Sequence, residues 1–457
     1  MKTKLFLLFM TSVCFNINAQ WLEHIISTEV FEAGSVFTAD INGDGDMDVL
    51  SAATGGNSID WWENDGTSEN FEQHNISTNV DRPYQVFAAD INGDGDMDVL
   101  YPSRDDDKLV WHENDGDGNF GPQQLITAQA NTDGPRFLDV ADIDGDGWDD
   151  VISASAFDHK FVWYKNLGKG DFGDINTNQR IISEDENQAI SVHAVDIDGD
   201  GDFDVAAASY VGDEITWHEN TDGAGNSWTR HVVESNRDGA ASVSSGDFDE
   251  DGDMDLVSAS QFDNTIAWHE NTDGAGPFDT DIIDVQAGGA VFVYAIDIDG
   301  DKDMDFLAAL LLDSEIVAYV NKGDGEFTRH IITSNVDFPV SVHAEDIDGY
   351  ECIDVLSASV LDNTIAWYEN MYEKCILSVN ENILVDFSVY PSPTSGVITV
   401  QSKTAISQIE VYTVFGQLIL SNSNKNDMDL SNVSQGIYFI KIKDINGDFG
   451  IQKVVKK

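Results

Sequence analysis

The chain is short of cysteine, of proline and above all of positive charge. It has 3 Cys and 8 Pro in 457 residues, and 23 Lys plus Arg against 84 Asp plus Glu, a formal net charge of −61. So few cysteines exclude a disulfide-framed scaffold. So few cations exclude a protein that reads nucleic acid through a basic face, and they make charge-driven adhesion to an anionic membrane untenable. Long apolar runs are missing too: past the extreme N-terminus no segment approaches the ~18 uninterrupted apolar residues of a membrane span. Apolar material itself is plentiful. Hydrophobic residues make up 41%, with 10 Trp, 24 Phe and 12 Tyr, which marks a folded chain rather than a disordered acidic one.

Residues 1–19 have a secretory pattern: basic Lys2 and Lys4, an apolar stretch from Leu5 to Phe15, and Ala19 before a cut at Gln20. The acid beyond them is unevenly spread. Residues 386–457 hold seven Lys and six Asp or Glu, whereas residues 20–385 carry a net −64. Two compositions imply two domains, 20–373 and 386–457, joined by a linker at 374–385.

The C-terminal domain opens Val389-Tyr390-Pro391-Ser392-Pro393 and continues in alternating strands such as Val397 to Val400 and Gln408 to Tyr412. It then runs Gly436-Ile437-Tyr438-Phe439 and ends Val455-Lys456-Lys457. Short strands between Pro and Gly turns predict a small antiparallel β-sandwich. The Tyr-Pro-x-Pro opening, the Gly-x-Tyr strand and the basic end closely resemble the C-terminal sorting domain of proteins exported by the type IX secretion system of Bacteroidota. That resemblance implies an export address and the secretion machinery as a partner.

Repetition dominates the larger domain. The block Ala-Asp-Ile-Asn-Gly-Asp-Gly-Asp-Met-Asp-Val-Leu occurs twice verbatim, with its first Asp at Asp40 and Asp90. Degenerate copies begin at Asp142, Asp196, Asp247, Asp297 and Asp346, giving seven units of about 50 residues. Each unit has four apolar runs and no helical periodicity, the pattern of a propeller blade. Phase supports a closed ring: the last unit stops at Trp367-Tyr368-Glu369-Asn370 without a fourth strand, and Trp21 to Ile26 match the missing one. The N-terminus is therefore expected to complete the seventh blade and cover its open edge.

Each block has the spacing Asp-x-Asp/Asn-x-Asp-Gly-x-x-Asp. A hard cation such as Ca2+ takes six to eight oxygens, and carboxylates at positions 1, 3, 5 and 9 around a Gly turn supply them. Without a cation, so many carboxylates in nine residues would repel one another. Five loops have every ligand: Asp40/Asn42/Asp44/Asp48, Asp90/Asn92/Asp94/Asp98, Asp142/Asp144/Asp146/Asp150, Asp196/Asp198/Asp200/Asp204 and Asp247/Asp249/Asp251/Asp255. The sixth keeps Asp297, Asp299, Asp301 and Asp305 but has Lys302 where Gly belongs, at a cost of about 1 kcal/mol if φ is positive there. The seventh has Tyr350 at position 5 and Glu351 for Gly, so five or six calcium sites are expected. In that seventh loop a hairpin register placing Cys352 opposite about residue 373 brings it within disulfide reach of Cys375. The bridge would replace the missing metal.

The repeat resembles the FG-GAP/VCBS family, the blades of integrin α-subunit propellers and of many secreted bacterial proteins. The resemblance implies structural calcium in the loop between the first two strands of each blade, and binding more often than catalysis.

Histidines at repeated strand positions, His24, His74, His231 and His330, or His112, His218 and His269, are expected to be packing groups. His193 and His343, on first strands that line the central channel, are expected to be satisfied core groups, with polar groups in a funnel as the alternative. No Ser-His-Asp spacing, zinc cluster or phosphate loop is present. Arg and aromatic residues concentrate instead in links and turns opposite the acidic loops: Arg82-Pro83-Tyr84, Arg104-Asp105, Pro135-Arg136-Phe137, Asp158-His159, Arg237-Asp238 and Asp337-Phe338. Such a rim suits a sugar or a protein. The expectation is an all-β chain, a seven-bladed β-propeller with calcium loops followed by a small β-sandwich, exported and binding an extracellular glycan or protein. It has two rivals: a polysaccharide lyase, which needs a cation and a general base converging on the channel, and a purely structural surface protein.

Overall fold

The computed structural model describes residues 21–68, 70–128, 132–323, 325–371, 387–402, 406–413, 418–423, 426–431, 433–444 and 449–457. The signal segment, the linker and Cys375 fall outside them. The chain divides into two compact units, Met1–Tyr372 and Glu373–Lys457. Among the described residues all regular structure is strand.

The larger unit contains seven four-stranded antiparallel sheets. The first blade runs Ala33–Ala39, Asp48–Ala53, Ser58–Asn64 and Phe71–Ser77, and each later repeat builds the same sheet. First strands touch those of the next blade all the way round, and Ala33–Ala39 meets Pro339–Glu345 to close the ring. Strand Trp21–Ser27 pairs with Thr364–Asn370, Trp21 opposite Asn370 and His24 opposite Trp367, and so supplies the fourth strand of the seventh blade.

Burial follows from this arrangement. Second strands such as Asp48–Ala53 and Asp204–Ser209 are buried at every residue because other blades cover both faces, which explains their Val, Leu, Ala and Ser content. Core clusters lie between blades: Leu50 and Trp61 pack with Tyr101 and Val110, and Val49 and Trp62 pack with Leu356 and Trp367 across the closure.

The Trp-x-Glu-Asn signature has a structural cause. Its Asn reaches the preceding blade, as when Asn220 Nδ2 donates to the Ile143 carbonyl at 3.0 Å. The same clip joins Asn114 to Ile41, Asn166 to Ile91, Asn271 to Ile197, Asn321 to Phe248 and Asn370 to Ile298, and Asn64 to Ile347 completes the circle. Asn220 is buried and its Oδ1 also accepts from Gly225 N at 2.9 Å. Asn220→Ala would strand several buried polar groups, so it is expected to cost roughly 2–4 kcal/mol. Urea denaturation checks this, and a loss under 0.5 kcal/mol, on the order of a neutral surface change, would show that the clip is dispensable.

The smaller unit has a three-stranded and a four-stranded sheet around Ile398, Val400, Ile409, Val411, Ile440 and Ile442, a small β-sandwich.

Candidate functional site

Two places concentrate chemistry: the acidic loops at one end of the first strands and the channel mouth at the other. In the first loop Asp44 N donates to Asp40 Oδ1 and Asn42 Oδ1, both at 3.1 Å, and Gly45 N donates to Asp40 Oδ2 at 3.0 Å. Backbone amides thus hold the carboxylates together. The ninth-position Asp does more than the spacing suggests. Asp48 Oδ1 accepts from Asn64 N at 2.8 Å and Oδ2 from Ile41 N at 3.1 Å, which ties the loop to the third strand in every blade. Burial pushes the Asp48 carboxyl up to about 7 despite those amides, with Asp44 and Asp40 adding to the rise.

The residues fit a cation. Ligand atoms lie within 4.8 Å of one another in Asp142/Asp144/Asp146, Asp196/Asp198/Asp204, Asp247/Asp249/Asp251 and Asp297/Asp299/Asp305. Asp144 Oδ1, Asp196 Oδ1 and Asp247 Oδ1 are buried with no hydrogen-bond partner, orphan oxygens of the kind a hard ion satisfies. A group not anticipated as ligands, Glu63, Glu72 and His74, is similarly close. There, however, His74 stacks on Trp61 at 4.5 Å and bonds Glu63 at 2.8 Å.

Each of these four acidic clusters holds three of the four ligands that the spacing puts together. In the third and fifth loops the carboxylates of positions 1, 3 and 5 meet, whereas in the fourth and sixth the ninth-position Asp204 and Asp305 join positions 1 and 3. Asp200 and Asp94 are exposed, and the Oδ1 of each accepts a backbone amide two residues on, from Asp202 N and Asp96 N, both at 3.0 Å. Asp146 and Asp251 accept the same bond, from Trp148 N and Asp253 N, while remaining in their clusters. Asn92 is a neutral member of the second loop whose Oδ1 accepts from Asp94 N at 2.9 Å, while its Nδ2 is buried without a hydrogen-bond partner. Only one atom of that side chain can face a cation, and a backbone amide already shares it. The carboxylate that gathers the second loop is Asp90, whose Oδ1 accepts from Asp94 N at 3.1 Å and Oδ2 from Gly95 N at 2.9 Å.

The loops are not equivalent. Blade three carries Lys165 where five other blades have Glu, and its ammonium reaches Asp144 and, at 2.7 Å, Asp146. The third loop thus contains a cation of its own, from a residue outside the nine-residue motif. In the sixth loop Lys302 has φ 86°, against 91° to 98° at Gly147 and Gly45, Gly95, Gly201 and Gly252, so a side chain stands in a glycine conformation. Lys302→Gly is expected to stabilise the protein by about 1 kcal/mol; a denaturation midpoint unchanged or lowered would contradict this. The seventh loop still wraps Asp346, with Tyr350 N and Glu351 N donating to it at 3.1 and 2.8 Å. Cys352 beneath it is disulfide-bonded. The register Val355↔Tyr368 carries Cys352 opposite residue 371, two places short of the expected 373.

Repeated histidines pack. His24 stacks on Trp367 at 4.2 Å and His231 on Trp217 at 4.3 Å. Burial drives the His218 and His269 imidazoles down to about 4 and about 3. In the channel, His343 Nε2 bonds Thr38 at 3.0 Å and its ring stacks on Phe37. His193 is held between Asp139 at 3.2 Å and Ser245 at 2.9 Å.

At the opposite end from the acidic loops a cavity of about 340 Å3 forms the channel mouth. Most first strands begin with a bulge: pairing jumps from Pro135↔Ser155 to Phe137↔Ala154 and leaves Arg136 unpaired, which re-aims its side chain. The seven equivalent residues all line the cavity. Six are Gly34, Tyr84, Ile190, Ala241, Val291 and Val340, and the seventh is Arg136. Its guanidinium lies 4.7 Å from the Tyr84 ring, and Arg104 lies 5.2 Å from the same ring and 4.8 Å from Phe157. Arg104 leans on Asp105 at 3.4 Å. Burial lowers the Arg136 pKa, with the Arg104 cation adding to the fall and the Tyr84 and Tyr210 hydroxyls opposing it. Arg82 and Phe338 join the lining as the sequence suggests. Asp158, His159 and Arg237 do not appear in it. Tyr210 and Gln261, which bond one another there, had no signal beyond occupying the same turn position as Arg104 in their own repeats.

Fold and loops together define a repeat propeller with acidic inter-strand loops. The FG-GAP-like repeat model matches residues 40–101, 102–153, 142–207, 196–258, 247–308 and 297–357, and the chain belongs to that family. Residues 388–457 match the secretion system C-terminal sorting domain, which indicates type IX export to the cell surface or beyond. No curated protein sequence matches the chain. Among solved structures it is similar to virginiamycin B lyase from Staphylococcus aureus, with 12% identity, a TM-score of 0.53, and 76% of this chain and 98% of that one covered. It is also similar to BBS1N in complex with ARL6DN, with 10% identity, a TM-score of 0.54, and 78% and 99% covered. At such identities the likeness concerns the fold alone.

Proposed function

We propose that this exported protein is a calcium-stabilised binding module that engages an extracellular glycan or protein ligand through the channel mouth opposite its acidic loops. One observation carries the reading: seven structurally equivalent residues ring the mouth, and the repeat is broken by a single charge, Arg136. Packing alone gives equivalent positions equivalent residues, so a deviation facing a cavity points to a ligand. Calcium holds the other end of the blades through Asp40, Asp90, Asp142, Asp196, Asp247 and Asp297 and their partners. The Cys352 bridge, with Cys375 as partner, fastens the loop that lost its ligands.

The test is binding of the mature protein, in millimolar calcium, to a glycan array and to an array of peptides. Arg136→Met should abolish the signal, while Tyr350→Ser on the acidic-loop face should preserve it. Equal binding by both variants would move the site elsewhere. Unsaturated sugar products released from a polysaccharide would replace the binder with a lyase.

A further inference from the structure

The mouth has two unlike halves. Arg82, Tyr84 and Arg136 line it from the second and third repeats, with Glu32 also in the lining and Arg104 against the Tyr84 ring, whereas Ile190, Val291, Leu311 and Val340 line the rest. The cationic half is anomalous in this molecule. With 84 acidic residues in the chain, no carboxylate is placed within ion-pair distance of Arg136 among the described residues. Arg104 Nε and Arg136 Nε are buried without hydrogen-bond partners. Arg104 has Asp105 as a partner, but leaving the half-buried Arg136 cation without one is costly, and the chain has acid to spare.

Around the mouth the turns between second and third strands add another pattern. At one equivalent position, five consecutive blades present Phe157, Val211, Phe262, Leu312 and Leu361, and Phe262 and Leu312 are 58% and 65% exposed. The first two blades have Gly55 and Asp105 there, so the apolar arc opens on the arginine side. An arc of bare Leu, Val and Phe suits a polypeptide better than a hydroxyl-rich sugar.

We infer that the mouth captures the C-terminal carboxylate of a polypeptide partner whose last residues are apolar. This rests on the reading of the mouth as the ligand site and names its ligand class. The carboxylate meets the Arg136 guanidinium in charge-assisted hydrogen bonds, with the Arg104 cation on the far side of the shared Tyr84 contact. The last side chain lies against Ile190, Val291 and Leu311, and preceding residues cross the apolar arc. At about 340 Å3 the cavity is near the lower limit of ~300–1,000 Å3 for ligand pockets, room for the tip of a chain but not its passage. That favours a terminus over an internal acidic residue.

The probe is an array of hexapeptides with randomised ends, printed once with free C-terminal carboxylates and once amidated, against the mature protein in calcium. Peptides ending in apolar residues should bind, and amidation should weaken them at least about tenfold, the loss of roughly 1.4 kcal/mol. Arg136→Met should erase the difference between the two printings while leaving the calcium-dependent melt unchanged, and Leu312→Ser with Leu361→Ser should weaken binding severalfold. Equal binding of free and amidated peptides overturns the inference. So does binding of uronate or sulfated oligosaccharides that Arg136→Met removes, although the mouth then remains a ligand site. Silence from both arrays with a normal melt overturns the inference and the binding reading together.

Discussion

Removing calcium with a chelator should lower the melting temperature of the mature protein by more than about 10 °C. A ligand bound only by the folded state adds about 2.7 kcal/mol per site at a hundredfold excess over its dissociation constant. Unfolding entropy of about 2.1 cal/mol/K per residue converts that into roughly 4 °C per site for a unit of this size, and five or six loops are available. Loss of the ion also restores repulsion among carboxylates that backbone amides hold within 4.8 Å of one another. The loops should not respond equally. Lys165 already neutralises Asp144 and Asp146, so Asp142→Asn should change the calcium-dependent melt less than Asp196→Asn or Asp247→Asn. Scanning calorimetry with and without chelator decides the matter: an unshifted melt would mean that these loops are acidic turns and nothing more.

Deleting Trp21–Ser27 should be as damaging. The strand covers the edge of Thr364–Asn370, stacks His24 on Trp367, joins His24 to Glu369 at 3.0 Å, and adds Trp21 and Ile26 to inter-blade clusters. Its loss exposes a strand edge and apolar surface at the point where the ring closes, at a cost on the order of 5 kcal/mol or more. The shortened protein is expected to melt at least 5 °C lower, on the order of the entropy scaling above, and to self-associate through the bare edge in size-exclusion chromatography. A synthetic peptide covering residues 20–28 should reverse both effects. A monomer with an unaltered melt would show that six complete blades and one three-stranded blade suffice.

Much of this molecule is legible in one dimension because its determinants are local. The nine residues Asp40–Asp48 contain both the carboxylates and the glycine that orders them, and the positive φ at Lys302 follows from counting along the same motif. The clasp is legible too, since a repeat that ends one strand short and starts with one strand extra has a single way to close. The signature Asn was readable as a recurring letter but not as a clip, because its acceptor lies more than 70 residues away, as in Asn220 to Ile143. The ninth Asp was readable as a ligand but not as the carboxylate that ties the loop to the third strand.

Composition, repeat phase and motif spacing by themselves determined the all-β ring, its acidic loops, its closure and a small β-sandwich behind it, and the export role of that sandwich came from its resemblance to sorting domains. Only the tertiary structure decided what the ring encloses. Each blade contributes one equivalent residue to the mouth, so Arg136 meets Tyr84 and shares the cavity with Val291 across repeats of about 50 residues, and that neighbourhood exists only once the circle is shut. The same holds for Lys165 and Asp144, 21 residues apart in sequence and in contact because the third strand returns beside the loop. Local sequence fixes the conformation of each turn; closure fixes which unlike residues meet, and in a repeat protein the unlike residues carry the function.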